Sequence, residues 1–136
     1  MIFMTYAHLT CYALVGGLAT VLPLTGCSPK SNNHAVLQSI KVTAAGFESG
    51  GEFCSDFKMT AEDVLDFFKR AKIIDSANLH SDYAYLPCYI QGYAKLNDAE
   101  VTWEIRAGGT GKLLMPDGQV SLYGCLTCDD LFGGRK

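Results

Sequence analysis

Cys88-Tyr89-Ile90-Gln91-Gly92-Tyr93-Ala94-Lys95-Leu96-Asn97-Asp98-Ala99-Glu100-Val101-Thr102-Trp103-Glu104-Ile105-Arg106-Ala107 decides the fold. Two alternating runs flank Asn97-Asp98, whose side chains both tolerate positive φ, so the pair reads as a two-residue hairpin turn. Placing Leu96 opposite Ala99 fixes every later pair, because side chains alternate with a period of two. One face then carries Ala94 with Val101, Gly92 with Trp103, Ile90 with Ile105 and Cys88 with Ala107, apolar throughout. Glycine opposite the indole leaves room for the ring to lie over it. The other face carries Lys95 with Glu100, Tyr93 with Thr102, Gln91 with Glu104 and Tyr89 with Arg106, which offers a salt pair and a cation–π pair.

Working outward, Ile40 to Ala45 alternates and predicts a first strand, closed by Glu48-Ser49-Gly50-Gly51. Thr60 can cap the amide of Asp63 and so start a helix, with Val64, Phe67, Phe68 and Ala71 on its apolar stripe and Asp66 able to pair with Arg70. Beyond the hairpin, Gly108-Gly109-Thr110-Gly111-Lys112 looks faintly like a phosphate loop, but its glycine spacing is wrong and Leu113 follows the lysine; it predicts a bend. Leu113 to Met115 and Val120 to Gly124 read as further strands around the Pro116-Asp117-Gly118 turn, and 129–136 reads as a polar, disordered tail. The expected domain, residues 37–128, is therefore α+β: one helix packed on a curved antiparallel sheet of about four to five strands, in strand-helix-meander order. Cystatin-like folds share that order, a likeness of fold that carries no function.

The leader has its own physics. Tyr12 to Leu24 is apolar over a length that suits a signal-peptide core and falls short of a bilayer span. Leu24-Thr25-Gly26-Cys27 resembles the lipobox of bacterial lipoproteins, in which the cysteine thiol takes a diacylglyceryl group. That resemblance implies removal of residues 1–26, lipidation of Cys27, and a tether over 27–36. Two or three acyl chains hold a protein on a membrane where one does not. No Lys or Arg precedes Lys30, so the usual positive start is missing; Gly16, Gly17 and Pro23 make the uncharged stretch a poor spanning helix. Ser28 after the lipidated cysteine leans, by analogy with Gram-negative sorting, toward the outer membrane, on the periplasmic side of the cell envelope.

Removing 26 of the 136 residues leaves 110, one domain with a modest core that staples would help. Net charge of −3 without a basic stripe argues against nucleic acid. Cys11 leaves with the leader and Cys27 is the lipid site, so Cys54, Cys88, Cys125 and Cys128 remain; four exported cysteines imply disulfides in one of three connectivities.

Phe53-Cys54-Ser55-Asp56-Phe57, Leu86-Pro87-Cys88-Tyr89-Ile90-Gln91-Gly92, Trp103-Glu104-Ile105-Arg106 before Gly108-Gly109, and a closing Cys-x-x-Cys together resemble a family of small uncharacterised bacterial lipoproteins and exported proteins, over about residues 47 to 128. The resemblance implies a shared fold and cysteine pattern and brings no activity. Cys54 with Cys88 and Cys125 with Cys128 is the preferred pairing.

Three functional readings compete. The first is a non-enzymatic binding or envelope-maintenance module using Tyr85, Tyr89, Gln91, Tyr93, Glu104 and Arg106, since Tyr and Arg combine contact area with directed hydrogen bonds. Its partner would be an envelope protein or the cell wall, and no cofactor is expected. Against it, such side chains often just cover an exposed sheet. The second is thiol-disulfide chemistry at Cys125 and Cys128, although a reactive pair normally opens a helix and here Asp129 and Asp130 would raise the thiol pKa. The third is a metal site from the cysteines with His80, which an oxidising compartment disfavours. His80-Ser81-Asp82 makes no triad because neighbours in a chain point different ways, and no enzyme is expected.

Overall fold

A computed structural model describes residues 36–133, which form an α+β domain with a six-stranded antiparallel sheet and two helices. The leader, Cys27 and all of the tether but Val36 lie outside the described residues. Among those described, no helix is long and apolar enough to cross a membrane.

The hairpin takes the expected register. Strands β3 (Cys88–Leu96) and β4 (Ala99–Arg106) pair from Tyr89 with Arg106 to Leu96 with Ala99, and the Ala107 N–H donates to the Cys88 carbonyl at 3.2 Å. Asn97 and Asp98 both adopt positive φ, 50° and 65°, the twist a two-residue turn needs. Ile90, Ala94, Val101, Trp103 and Ile105 are buried as one face. An atom added at the Gly92 Cα would lie 2.7 Å from Trp103 Cζ2, so the indole does cover the glycine, and its N–H donates to the Tyr93 carbonyl at 3.1 Å. Lys95 and Glu100 stand opposite without closing to ion-pair distance, which corrects the expected salt pair.

The first strand, β1 (Leu37–Phe47), is longer than expected and forms an edge of the sheet against β3, with two register shifts along it and Ser39 at φ 51°. Helix α1 (Ala61–Arg70) opens on a full capping box: Thr60 Oγ1 accepts from the Asp63 N–H at 3.2 Å, and Asp63 Oδ2 accepts from the Thr60 N–H at 2.8 Å. Val64, Phe67, Phe68 and Ala71 are buried, Phe68 edge-on to Tyr123 at 5.2 Å. Strands β5 (Thr110–Leu114) and β6 (Val120–Gly124) sit beneath this helix, and Phe67 presses on Gly111 of β5.

The counts of strands and helices and the reading of the tail are refined. A short strand β2 (Lys72–Ile74) follows α1, and a second helix α2 (Ser76–Asp82) is capped by Asp75, whose Oδ1 accepts from the Asn78 N–H at 2.8 Å. After β4 come β5 (Thr110–Leu114) and β6 (Val120–Gly124), giving the sheet order β1-β3-β4-β5-β6-β2. The meander of four strands stands; the count of strands rises to six and of helices to two. Arg70 engages Asp130 through two hydrogen bonds of 3.0 and 2.9 Å. Of the expected tail, residues 129–133 are described and pack on the domain: Asp129–Leu131 is a 3-10 turn, Leu131 is 1 % exposed, and the Phe132 ring lies 5.7 Å from Phe57; residues 134–136 lie outside the described residues. Apolar burial outweighs the polar composition there.

Both disulfides form in the preferred pairing, Cys54 with Cys88 and Cys125 with Cys128. The first ties the segment before α1 to the start of β3, closing a loop with a sequence separation of 34.

Candidate functional site

Register places the side chains of the second sheet face in rows. One row runs Gly46, Tyr89, Arg106, Thr110, Gly124; the next runs Gln91, Glu104, Lys112, Leu122; a third runs Tyr93, Thr102, Leu114, Val120. This face is only partly covered. Tyr93, Leu114 and Val120 are 46 %, 42 % and 54 % exposed, so the third row lies open.

The covering element is α2 with the coil that follows it. Glycines lower the floor beneath that coil: an added Cβ at Gly124 would lie 2.3 Å from the Tyr83 ring, and one at Gly108 would lie 1.9 Å from the Ala84 carbonyl oxygen. The glycine-rich stretch before Lys112 is thus the seat of a strap, and its only resemblance to a phosphate loop is in composition. Gly109 turns at φ 83°, and the Cys125 N–H donates to its carbonyl at 2.8 Å.

Arg106 is the hub of the site. Its Nη2 donates to Glu48 Oε1 at 2.7 Å, its Nε to Glu104 Oε1 at 3.0 Å, and its Nη1 to the Tyr85 hydroxyl at 3.1 Å. Lys112 Nζ meets Glu104 Oε2 at 3.1 Å, and the Tyr85 hydroxyl donates to Glu48 Oε2. The guanidinium carbon lies 4.9 Å from the Tyr85 centroid and 5.8 Å from that of Tyr89, so the expected cation–π contact to Tyr89 exists and a closer one to Tyr85 joins it. Tyr89 also covers Gly46 as Trp103 covers Gly92.

The charges respond. Hydrogen bonds from Arg106 and Tyr85 hold the Glu48 carboxyl below its ordinary pKa. The bond to Glu48, together with burial, raises Tyr85. Burial opposes the charge on Arg106, but Glu48 and Glu104 outweigh it and raise the guanidinium further. Burial, with Asp82 adding to it, raises Tyr83.

Between strap and sheet lies a cleft of about 360 Å³. Its floor is Arg106, Thr110, Lys112 and Leu122 on three adjacent strands; its roof is Leu79, His80, Tyr83 and Tyr85. Of the residues singled out in the sequence, Tyr85 and Arg106 line this cleft, Glu104 braces it, Tyr89 and Gln91 continue the same face, and Tyr93 stands on the open row. Sequence reasoning missed Glu48, read there only as the end of a strand, Tyr83, which the packing of the strap places, and Lys112, which the β4–β5 register sets opposite Glu104.

Cys125 and Cys128 are bonded to each other and buried, at 4 % and 0 % exposure, so an attacking thiolate has no open approach. Among the described residues no group of three or more His, Cys, Asp or Glu side chains is placed to hold a metal ion. No protein-family model, curated protein or solved structure matches the chain.

Proposed function

We propose that this protein is a lipid-anchored, non-enzymatic binding module of the cell envelope, its leader removed, Cys27 lipidated and its second sheet face the capturing surface. The observation that carries the reading is the incomplete cover of that face. A cleft walled by Tyr83, Tyr85 and two cationic side chains opens beside the exposed Tyr93, Leu114 and Val120. Concave aromatic surface with a few convergent polar groups is the common form of a ligand site. The lipobox and the pairing of all four remaining cysteines agree with an exported, oxidising location.

The anchor is tested by intact mass of the membrane-extracted full chain, expected to start at Cys27 with a diacyl or triacyl addition; retention of residues 1–26 refutes it. The face is tested in cells with a photo-crosslinking residue at Val120 and, as control, at exposed Glu62 on α1. Defined adducts are expected at Val120 only. Identical adducts at both positions refute the face.

A further inference from the structure

The cleft also carries information about what it holds. We infer that it binds a small monocarboxylate with an aromatic or branched apolar body, a statement that rests on the second face being a binding surface.

At about 360 Å³ the cleft lies near the lower end of small-molecule sites. Its apolar wall is Leu79, Leu122, Ala84 and the rings of Tyr83 and Tyr85, a slot suited to a flat or branched hydrocarbon. No carboxylate among the described residues lines it. Arg106, though central, is already spoken for: Glu104, Tyr85, the Leu86 carbonyl and Glu48 engage its three nitrogens. It is a fixed wall, and its engaged guanidinium offers a newcomer little.

Lys112 differs. Its ammonium has three protons, Glu104 takes one, and its side chain is 47 % exposed. The other two protons have no partner among the described residues, while the Tyr83 ring end on the far side packs over Gly124. One cationic donor with spare protons at the edge of an apolar slot suits one carboxylate. A cation would have to displace Arg106 or Lys112 from Glu48 or Glu104. A phosphate dianion would need more spare donors than one ammonium.

The test uses the full chain and three probes that share a phenyl body: hydrocinnamate, its amide hydrocinnamamide, and phenethylammonium. Methyl resonances of Leu79, Ala84, Thr110 and Leu122 report the location. Hydrocinnamate is expected to shift them and to bind about fivefold tighter than the amide at low salt, the gap closing as salt rises. Lys112→Ala should erase the gap by weakening the acid more than the amide, and Lys112→Arg should restore it. Amide binding as tight as the acid, or phenethylammonium tighter, overturns the carboxylate inference and leaves the cleft a binding site. If none of the three moves these methyls at millimolar concentration, both the inference and the cleft's part in the proposed function fall.

Discussion

Replacing Gly92 by Ala puts the β1–β3 junction under a defined load. The added Cβ would lie 1.8 Å from the Lys41 carbonyl oxygen and 2.7 Å from Trp103 Cζ2. A carbon needs about 3.3 Å from an oxygen, so backbone must yield by about 1.5 Å. Strands normally sit about 4.8 Å apart, and such a displacement breaks the ladder locally. Two lost backbone hydrogen bonds cost about 2 kcal/mol together. Pushing Trp103, which is 0 % exposed and bonded to the Tyr93 carbonyl, adds about 1–3 kcal/mol of overpacking. The sum is about 3–5 kcal/mol. For a domain of this size it corresponds to a fall in Tm of at least about 12 °C, read by calorimetry with disulfides intact. Gly118→Ala is the control: φ is 87° but nothing lies within 4 Å, so only the backbone conformation is taxed, by about 1 kcal/mol. A Gly92→Ala protein melting within about 4 °C of the parent would refute the close-approach argument, as would equal losses at the two glycines.

Two further outcomes follow from the staples and charges. By loop-closure entropy, replacing Cys54 and Cys88 by Ser, with a separation of 34, should cost about 4 kcal/mol in urea unfolding. The Cys125 and Cys128 pair, separated by 3, should cost about 2 kcal/mol, and a larger loss at the short loop would contradict this ordering. Glu48 has a folded pKa below its ordinary 4.5, so the stability it adds is full above that value and is lost as pH falls through the lower folded one. The Tm gap between parent and Glu48→Gln should therefore hold above about pH 5 and shrink below it; a gap that widens in acid would reverse the sign.

The hairpin could be read because its information is local. Asn97-Asp98 sets the turn, and a period of two then assigns every side chain to a face. The helix start was equally local: Thr60 lies three residues from its partner. By contrast, β2 is three residues long with Ile73 half-exposed, and it exists because β6, about fifty residues later, accepts it. Helix α2 has no buried residue and hence no apolar stripe to betray it. Polar composition hid Leu131 and Phe132, whose burial depends on α1.

The candidate site divides the same way. Tyr89 and Arg106 face each other across one hairpin, so their contact could be expected from register. Glu48 reaches Arg106 across a sequence separation of 58, and Tyr83 meets Gly124 through tertiary packing. No spacing in the chain encodes either. What the sequence did supply was the chemistry of the face; the strap that turns it into a cleft came from folding.

The long edge strand also sets a standoff. The described chain enters at Val36, beside the hairpin turn where Leu37 pairs with Leu96, and leaves β1 at Phe47, next to Glu48 and the Tyr85–Arg106 corner. Eleven residues at about 3.3 Å each, shortened by two bulges, span about 30 Å. The strand works as a boom. The Glu48 and Tyr85–Arg106 corner, which closes one end of the cleft, therefore stands about 30 Å along the sheet from Val36.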